Sequence, residues 1–108
     1  MKPTFLELRH LRTLLALKET GSVSMAAKRV YLTQSALSHQ IKLMEEQFGL
    51  PLFERKSNPL RFTAAGDRLI RLANEILPKV VDAERELARV KHGDAGQLRI
   101  AVAVSYTH

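Results

Sequence analysis

The chain has 108 residues, 45% of them hydrophobic and 6% aromatic, which suits one domain with a modest core. Its 17 Lys and Arg outnumber 11 Asp and Glu, giving a net charge of +6, and with no cysteine it can build neither a disulfide nor a thiolate metal site. The basic excess is local: residues 1–63 carry 10 cations and 5 anions, whereas residues 64–92 carry 6 and 5. A localised positive field points to nucleic acid or another polyanion as partner.

The first apolar run, FLELRHLRTLLAL, is interrupted by Glu7, Arg9, His10 and Arg12, so it is neither a signal segment nor a membrane span. No membrane partner is expected, and the lack of cysteine is compatible with a cytoplasmic location. Thr4 and Glu7 have the spacing of a capping box, which predicts a helix over about residues 5–19, with Leu8, Leu11, Leu14 and Leu15 inward and Gly21 as its stop.

A short second helix follows, capped by Ser22 or Ser24, with Ala26, Ala27 and Val30 on its inner side. Only residues 31–33 separate it from a third helix, for which Thr33 is the expected N-cap. So short a connection forces a steep crossing, as in a helix-turn-helix. In the third helix Leu37, Ile41, Met44 and Phe48 mark the buried face, and Met25 and Met44 read as core filler.

The outer face of that helix carries Gln34, Ser35, Ser38 and His39, then Lys42. Short polar groups at a helix N-terminus allow close approach to another surface and can read what they touch. The second helix of a helix-turn-helix enters the major groove with its N-terminal residues at the base edges. Gln pairs with adenine in bidentate fashion, Ser bonds to any base, and His39 can donate to guanine or phosphate. The helix dipole favours phosphate at the same end.

After Gly49, Leu52 and Phe53 precede a polar loop, and Leu60 and Phe62 follow it around Arg61. Two short strands and a turn are expected there, with Asn58 and Pro59 supplying the turn, a hairpin that forms a wing. Thr63 can cap a fourth helix over about residues 64–91, roughly 40 Å long. Within it Leu69, Ala73, Ile76, Val80, Ala83, Leu87 and Val90 follow a heptad seam that a second copy of the chain is expected to cover. Pro78 interrupts the helix and should bend or weaken one turn. GDAG, residues 93–96, reads as a linker, and QLRIAVAV after it as a strand without partners in this chain.

The stretch LRHLRTLLALKETGSVSMAAKRVYLTQSALSHQIKLMEEQFGLPLFERKSNPLRFTAAG resembles the DNA-binding region of bacterial LysR-type transcriptional regulators, and the resemblance extends over residues 1–92. It implies a mainly α fold: a winged helix-turn-helix over 1–63, a long linker helix for dimerisation over 64–92, and in 93–108 a hinge and the first strand of an effector-binding domain. The family's base-reading and phosphate-contacting residues then fall on Gln34, Ser35, Ser38, His39 and Lys42, with Thr33 as cap and phosphate donor. The family usually has Arg at the position of His39. In the wing, Arg55, Lys56, Ser57 and Asn58 would approach the flanking minor groove or backbone, unless Arg55 instead pairs with Glu54 or a helix carboxylate. Lys28 and Arg29 can contact phosphate or remain solvated.

QSALSHQ and RKSNPLRFT are similar to the methionine-biosynthesis regulator subgroup. That implies a small-molecule coinducer, homocysteine, bound by the effector domain, with no cofactor in the present segment. The implied partners are double-stranded DNA, a second copy of the chain as homodimer or tetramer, and RNA polymerase. Three other readings compete. Ser35 and His39 could touch, but no orienting acid or oxyanion site accompanies them, and His10, His92 and His108 read as surface or boundary residues without metal-ligand spacing, so an enzyme is not expected. A winged-helix protein-interaction module would lack salt-dependent DNA binding, and sequence-indifferent packaging would not distinguish a palindrome from random duplex.

Overall fold

A computed structural model describes residues 4–54 and 59–92. The readings for Arg55, Lys56, Ser57 and Asn58 and for the strand after the GDAG linker lie outside the described residues. Two compact units divide the chain between Leu77 and Pro78. The described residues form four helices: α1 (Leu8–Thr20), α2 (Val23–Arg29), α3 (Gln34–Phe48) and α4 (Ala64–Lys91).

α1 begins one turn later than the Thr4 capping box predicts. Glu7 is the N-cap, with extended backbone at φ −124° and ψ 164°. Its N–H donates to Nδ1 of His10 at 2.9 Å. The displacement has a packing cause: Phe5 stacks on the His10 ring at 4.8 Å and meets Phe48 edge-on at 5.9 Å, contacts that a helical continuation through Phe5 would forgo. His10 is therefore not a surface or boundary residue, being only 3% exposed.

The inward stripe of α1 is also rotated. Leu8 is exposed, whereas Leu11, Thr13, Leu14, Ala16 and Leu17 are buried. The helix serves two clusters, one of Ala16, Leu17, Ala26, Ala27 and Leu37, the other of Leu14, Met44, Leu52 and Ile70. Covering both widens the buried arc beyond a single stripe of leucines. Gly21 closes α1 in the left-handed region at φ 70°, its N–H bonding Leu17 O at 2.8 Å.

Ser22 caps α2, its hydroxyl accepting from Met25 N at 3.2 Å. Ala26 and Ala27 are buried against α1 and α3, where the absence of longer side chains permits close packing. Met25 is 56% exposed and fills no core gap, a correction to its expected role. Met44 is fully buried.

The turn into α3 is held on both sides, by Tyr31 N donating to Lys28 O at 3.2 Å and Leu32 N to Ala27 O at 2.9 Å. Tyr31 has φ 60°. For a residue with a Cβ this left-handed conformation costs about 1–2 kcal/mol. Thr33 then caps α3, Oγ1 accepting from Ala36 N at 3.0 Å. Leu37 and Met44 are fully buried and Ile41 half-buried, but Phe48 is 39% exposed, so the inner face of α3 opens at its last turn.

After Gly49 the chain is pinned by a side chain rather than a strand: Glu45 Oε2 accepts from Leu52 N at 2.8 Å. Among the described residues the expected two strands reduce to a single antiparallel bridge, Phe53 to Phe62, with the two rings 4.6 Å apart. Glu54 N donates to Arg61 O and Thr63 N to Leu52 O, each at 3.0 Å, and Thr63 Oγ1 donates to Pro51 O at 2.7 Å, joining the two sides. Among the described residues, several groups are unavailable to a longer ladder. Pro51 and Pro59 have no N–H, and those of Leu52 and Leu60 are directed to Glu45 and Gly21.

Thr63 caps α4 as expected, its Oγ1 accepting from Gly66 N at 3.2 Å. Gly66, Ile70 and Ala73 are buried, and Ile70 belongs to the second cluster. Pro78 lies inside α4 and opens the second unit, where Val80 and Val90 are half-buried and Val81 and Leu87 exposed.

Candidate nucleic-acid interface

Burial of Leu37, Ile41 and Met44 fixes the rotation of α3, and the remaining face points to solvent as a consequence. Thr33, Gln34, Ser35, Ser38, His39 and Lys42 are all exposed. On a helix of 3.6 residues per turn, positions 34, 35, 38, 39 and 42 share one side. The structure therefore brings every described polar candidate of the third helix onto one surface. No acidic residue stands in the first turn of α3, so the positive end of its dipole is not neutralised.

Glu45, the first carboxylate along the helix, accepts from Leu52 N. That bond anchors the base of the wing to α3. The role of Glu45 escapes a reading of the sequence, because its partner is a backbone amide seven residues on. Gln40 escapes for a similar reason. It is half-buried, and its Oε1 is a buried acceptor without a hydrogen-bond partner.

Lys28 and Arg29 are exposed in the last turn of α2. Arg29 is not simply solvated: Nη1 meets Glu19 Oε1 of α1 at 2.8 Å, with both side chains about half exposed (51% and 52%). Such a surface pair contributes at most about 1 kcal/mol, so its guanidinium remains cheap to redirect. Lys18 lies 5.7 Å over the Phe62 ring, which places its charge beside the base of the wing.

The seam residues divide into two groups. Leu69 packs against the cluster of Leu14, Met44, Leu52 and Ile70, and Ala73 is fully buried. Ile76 lines an apolar groove with Phe5, Leu11, Phe48 and Leu72. In the second unit Ala83 and Leu87 are exposed, Leu87 to 60%. Among the described residues no three His, Cys, Asp or Glu come together to hold a metal ion. No described helix is long and apolar enough to cross a membrane.

Residues 8–67 match the family described as "Bacterial regulatory helix-turn-helix protein, lysR family". The chain is 90% identical over 102 residues to the HTH-type transcriptional regulator MetR of Haemophilus influenzae, a match covering 94% of this chain and 33% of that protein. It is 45% identical over 97 residues to MetR of Salmonella typhimurium, covering 90% of this chain and 30% of the relative. It thus spans about a third of the length of these curated relatives. Among solved structures, the DNA-binding domain of BenM in complex with catB site 1 DNA superposes with a TM-score of 0.74 at 35% identity, over 82% of this chain and 98% of that one. With α3 framed by a tight turn and a rudimentary wing, and a long α4 following in sequence, the chain belongs to the LysR family of bacterial regulatory helix-turn-helix proteins.

Proposed function

We propose that this chain is the DNA-reading portion of a cytoplasmic transcriptional regulator that binds an interrupted palindrome as a homodimer and controls methionine-biosynthesis genes. The observation that carries the reading is the exposed row Gln34, Ser35, Ser38, His39 and Lys42 on α3, held outward by the burial of Leu37 and Met44. Residues 1–63 act as the reading head, 64–92 as the dimerising linker, and 93–108 as the entry to an effector-binding domain. The resemblance to MetR proteins supports the methionine assignment, and the BenM complex with catB site 1 DNA supports duplex DNA as the partner.

In this mechanism each head inserts α3 into a major groove, so that Gln34 and Ser38 meet base edges while Thr33 and Lys42 hold phosphates. His39 offers a ring nitrogen as donor or acceptor where an Arg would supply a guanidinium. Arg55, Lys56, Ser57 and Asn58 extend the contact into the neighbouring minor groove. Two copies joined through Val80, Ala83, Leu87 and Val90 set the half-site spacing by twofold symmetry. A small-molecule coinducer, homocysteine, acts through the effector-binding domain and conveys its signal toward RNA polymerase.

The test is selection of bound sites from a randomised duplex library. Enrichment of a two-part palindrome whose halves lie one helical turn or a multiple apart supports the reading. Recovery of unenriched sequence sinks it.

A further inference from the structure

Tyr31 combines two features that together call for an explanation. It is 94% exposed, more than any other large hydrophobic residue described. Its backbone also sits at φ 60°, where no other described residue except glycine is found. An isolated exposed aromatic needs no special account. Here, however, the same residue occupies a strained turn position that Gly or Asn would fill at less cost. Strain retained at one exposed position is a reason to ask what that side chain does.

Its place in the fold answers the question. Tyr31 lies in the turn between α2 and α3, two residues before Thr33, the cap of α3, and two consecutive residues span at most about 7 Å. The amides of Tyr31 and Leu32 are both anchored to α2, through Lys28 O and Ala27 O, so the turn presents the ring from a fixed base. When the N-terminus of a second helix meets base edges, the turn that feeds it stands at the wall of the groove, where the sugar-phosphate backbone passes. Exposed Lys28 and Arg29 on the adjoining turn of α2 favour the same strand electrostatically.

We infer that Tyr31 is a phosphate-contacting residue at the wall of the groove, its phenolic O–H donating to a backbone phosphate oxygen as the neutral partner of Lys28 and Arg29. The inference rests on the DNA-binding reading and adds to it a residue that the base-reading row does not include. A tyrosine suits the task because it loses little rotamer freedom when immobilised.

The experiment compares the full chain with Tyr31→Phe and Tyr31→Asn on two labelled duplexes of equal length, the best site from the randomised selection and a scrambled one, over a salt series. Loss of one charge-assisted hydrogen bond per head should weaken Tyr31→Phe about tenfold for each engaged head, on both duplexes alike. The salt slope should stay at the wild-type value, because a neutral donor releases no counterion. Tyr31→Asn should melt higher than wild type, since Asn tolerates the left-handed turn, yet bind more weakly; a purely structural role would move stability and affinity in the same direction. Unchanged affinity of Tyr31→Phe, a loss confined to the selected site, or a changed salt slope each overturns the inference. Failure of the wild-type chain to shift either duplex overturns the DNA-binding reading itself, and this inference with it, and is recognised because no variant is involved.

Discussion

Gly66 of α4 packs directly onto the main-chain carbonyl of Leu52: a Cβ built at Gly66 would lie 2.3 Å from Leu52 O and 2.9 Å from the Phe62 ring. The contact joins the first turn of the long helix to the base of the wing, and Leu52 O also accepts from Thr63 N at 3.0 Å. Because the blocking atom is backbone, it cannot rotate away. Gly66→Ala gains about 1 kcal/mol of helix propensity, but it must separate α4 from the Phe53 to Phe62 bridge and lose the Thr63 bond. The expected result is a net destabilisation of about 2 kcal/mol, a fall of roughly 8–16 °C in thermal midpoint for a domain of this size. A midpoint at or above wild type would show that the helix can shift at no cost.

His10 makes the first unit sensitive to acid. Burial of the ring, helped by the nearby Arg9 cation, lowers its pKa below the usual 6.5, against a smaller opposing effect from Glu7. Its Nδ1 is already an acceptor for Glu7 N–H, so a proton placed there displaces the cap. The unfolded chain takes up the proton first as pH falls through about 6.5, so the native state loses relative stability from there down to the lowered native pKa. Stability should be flat above about pH 7.5 and decline below 6.5. His10→Gln keeps an acceptor at the same helix position and removes the titration. Urea midpoints at high and low pH should therefore differ less in His10→Gln than in wild type; an equal difference would assign the acid sensitivity elsewhere.

The helix-turn-helix was legible in the sequence because its punctuation is local. Thr33 and Ser22 cap within three residues, and Gly49 stops α3 by its own left-handed φ of 67°. What escaped was long-range. Glu45 bonds the amide of Leu52, Phe5 leaves the helical path to stack on His10, and Gly66 fits a carbonyl fourteen positions earlier in the chain. No periodicity encodes such pairs. The heptad pattern from Leu69 to Val90 shows the converse problem, since one uninterrupted repeat serves an intramolecular core at Leu69 and Ala73 and exposed surface at Leu87. The outward face of α3 was legible by subtraction, once its apolar positions had been assigned to the core.

Gln34 and Lys42 share a face of α3 yet should fail in different ways. A Gln side chain reads a base edge, so Gln34→Ala should cost about 1–3 kcal/mol against the preferred base and relax selection at that position. A Lys holding phosphate carries no sequence information. Lys42→Ala should weaken all duplexes alike and reduce the salt slope by about 0.9 per head. Binding isotherms on the selected site and its single-base variants separate the two. An unchanged base preference in Gln34→Ala would remove that residue from direct readout.

The exposed half of the seam gives the last prediction. Leu87 is 60% exposed and Val81 43%, and with half-buried Val80 and Val90 they leave a run of apolar surface on the part of α4 after Pro78. A second chain packing there would bury the exposed part of Leu87, worth roughly 1–2 kcal/mol per copy. Asp at Val80 or Leu87 places a carboxylate where that burial would otherwise occur, and an unpaired buried charge costs more than the leucine contributes. The double variant Val80→Asp, Leu87→Asp should sediment as a monomer. Its first unit should melt as in wild type, because the core residues Leu14, Leu37, Met44 and Leu52 all precede Pro78. On a two-part palindrome the monomer should lose the advantage of simultaneous engagement, about a hundredfold or more, while retaining its affinity for a single half-site. A variant that remains dimeric would exclude Val80 and Leu87 from the contact and shift attention to the groove lined by Phe48, Leu72 and Ile76.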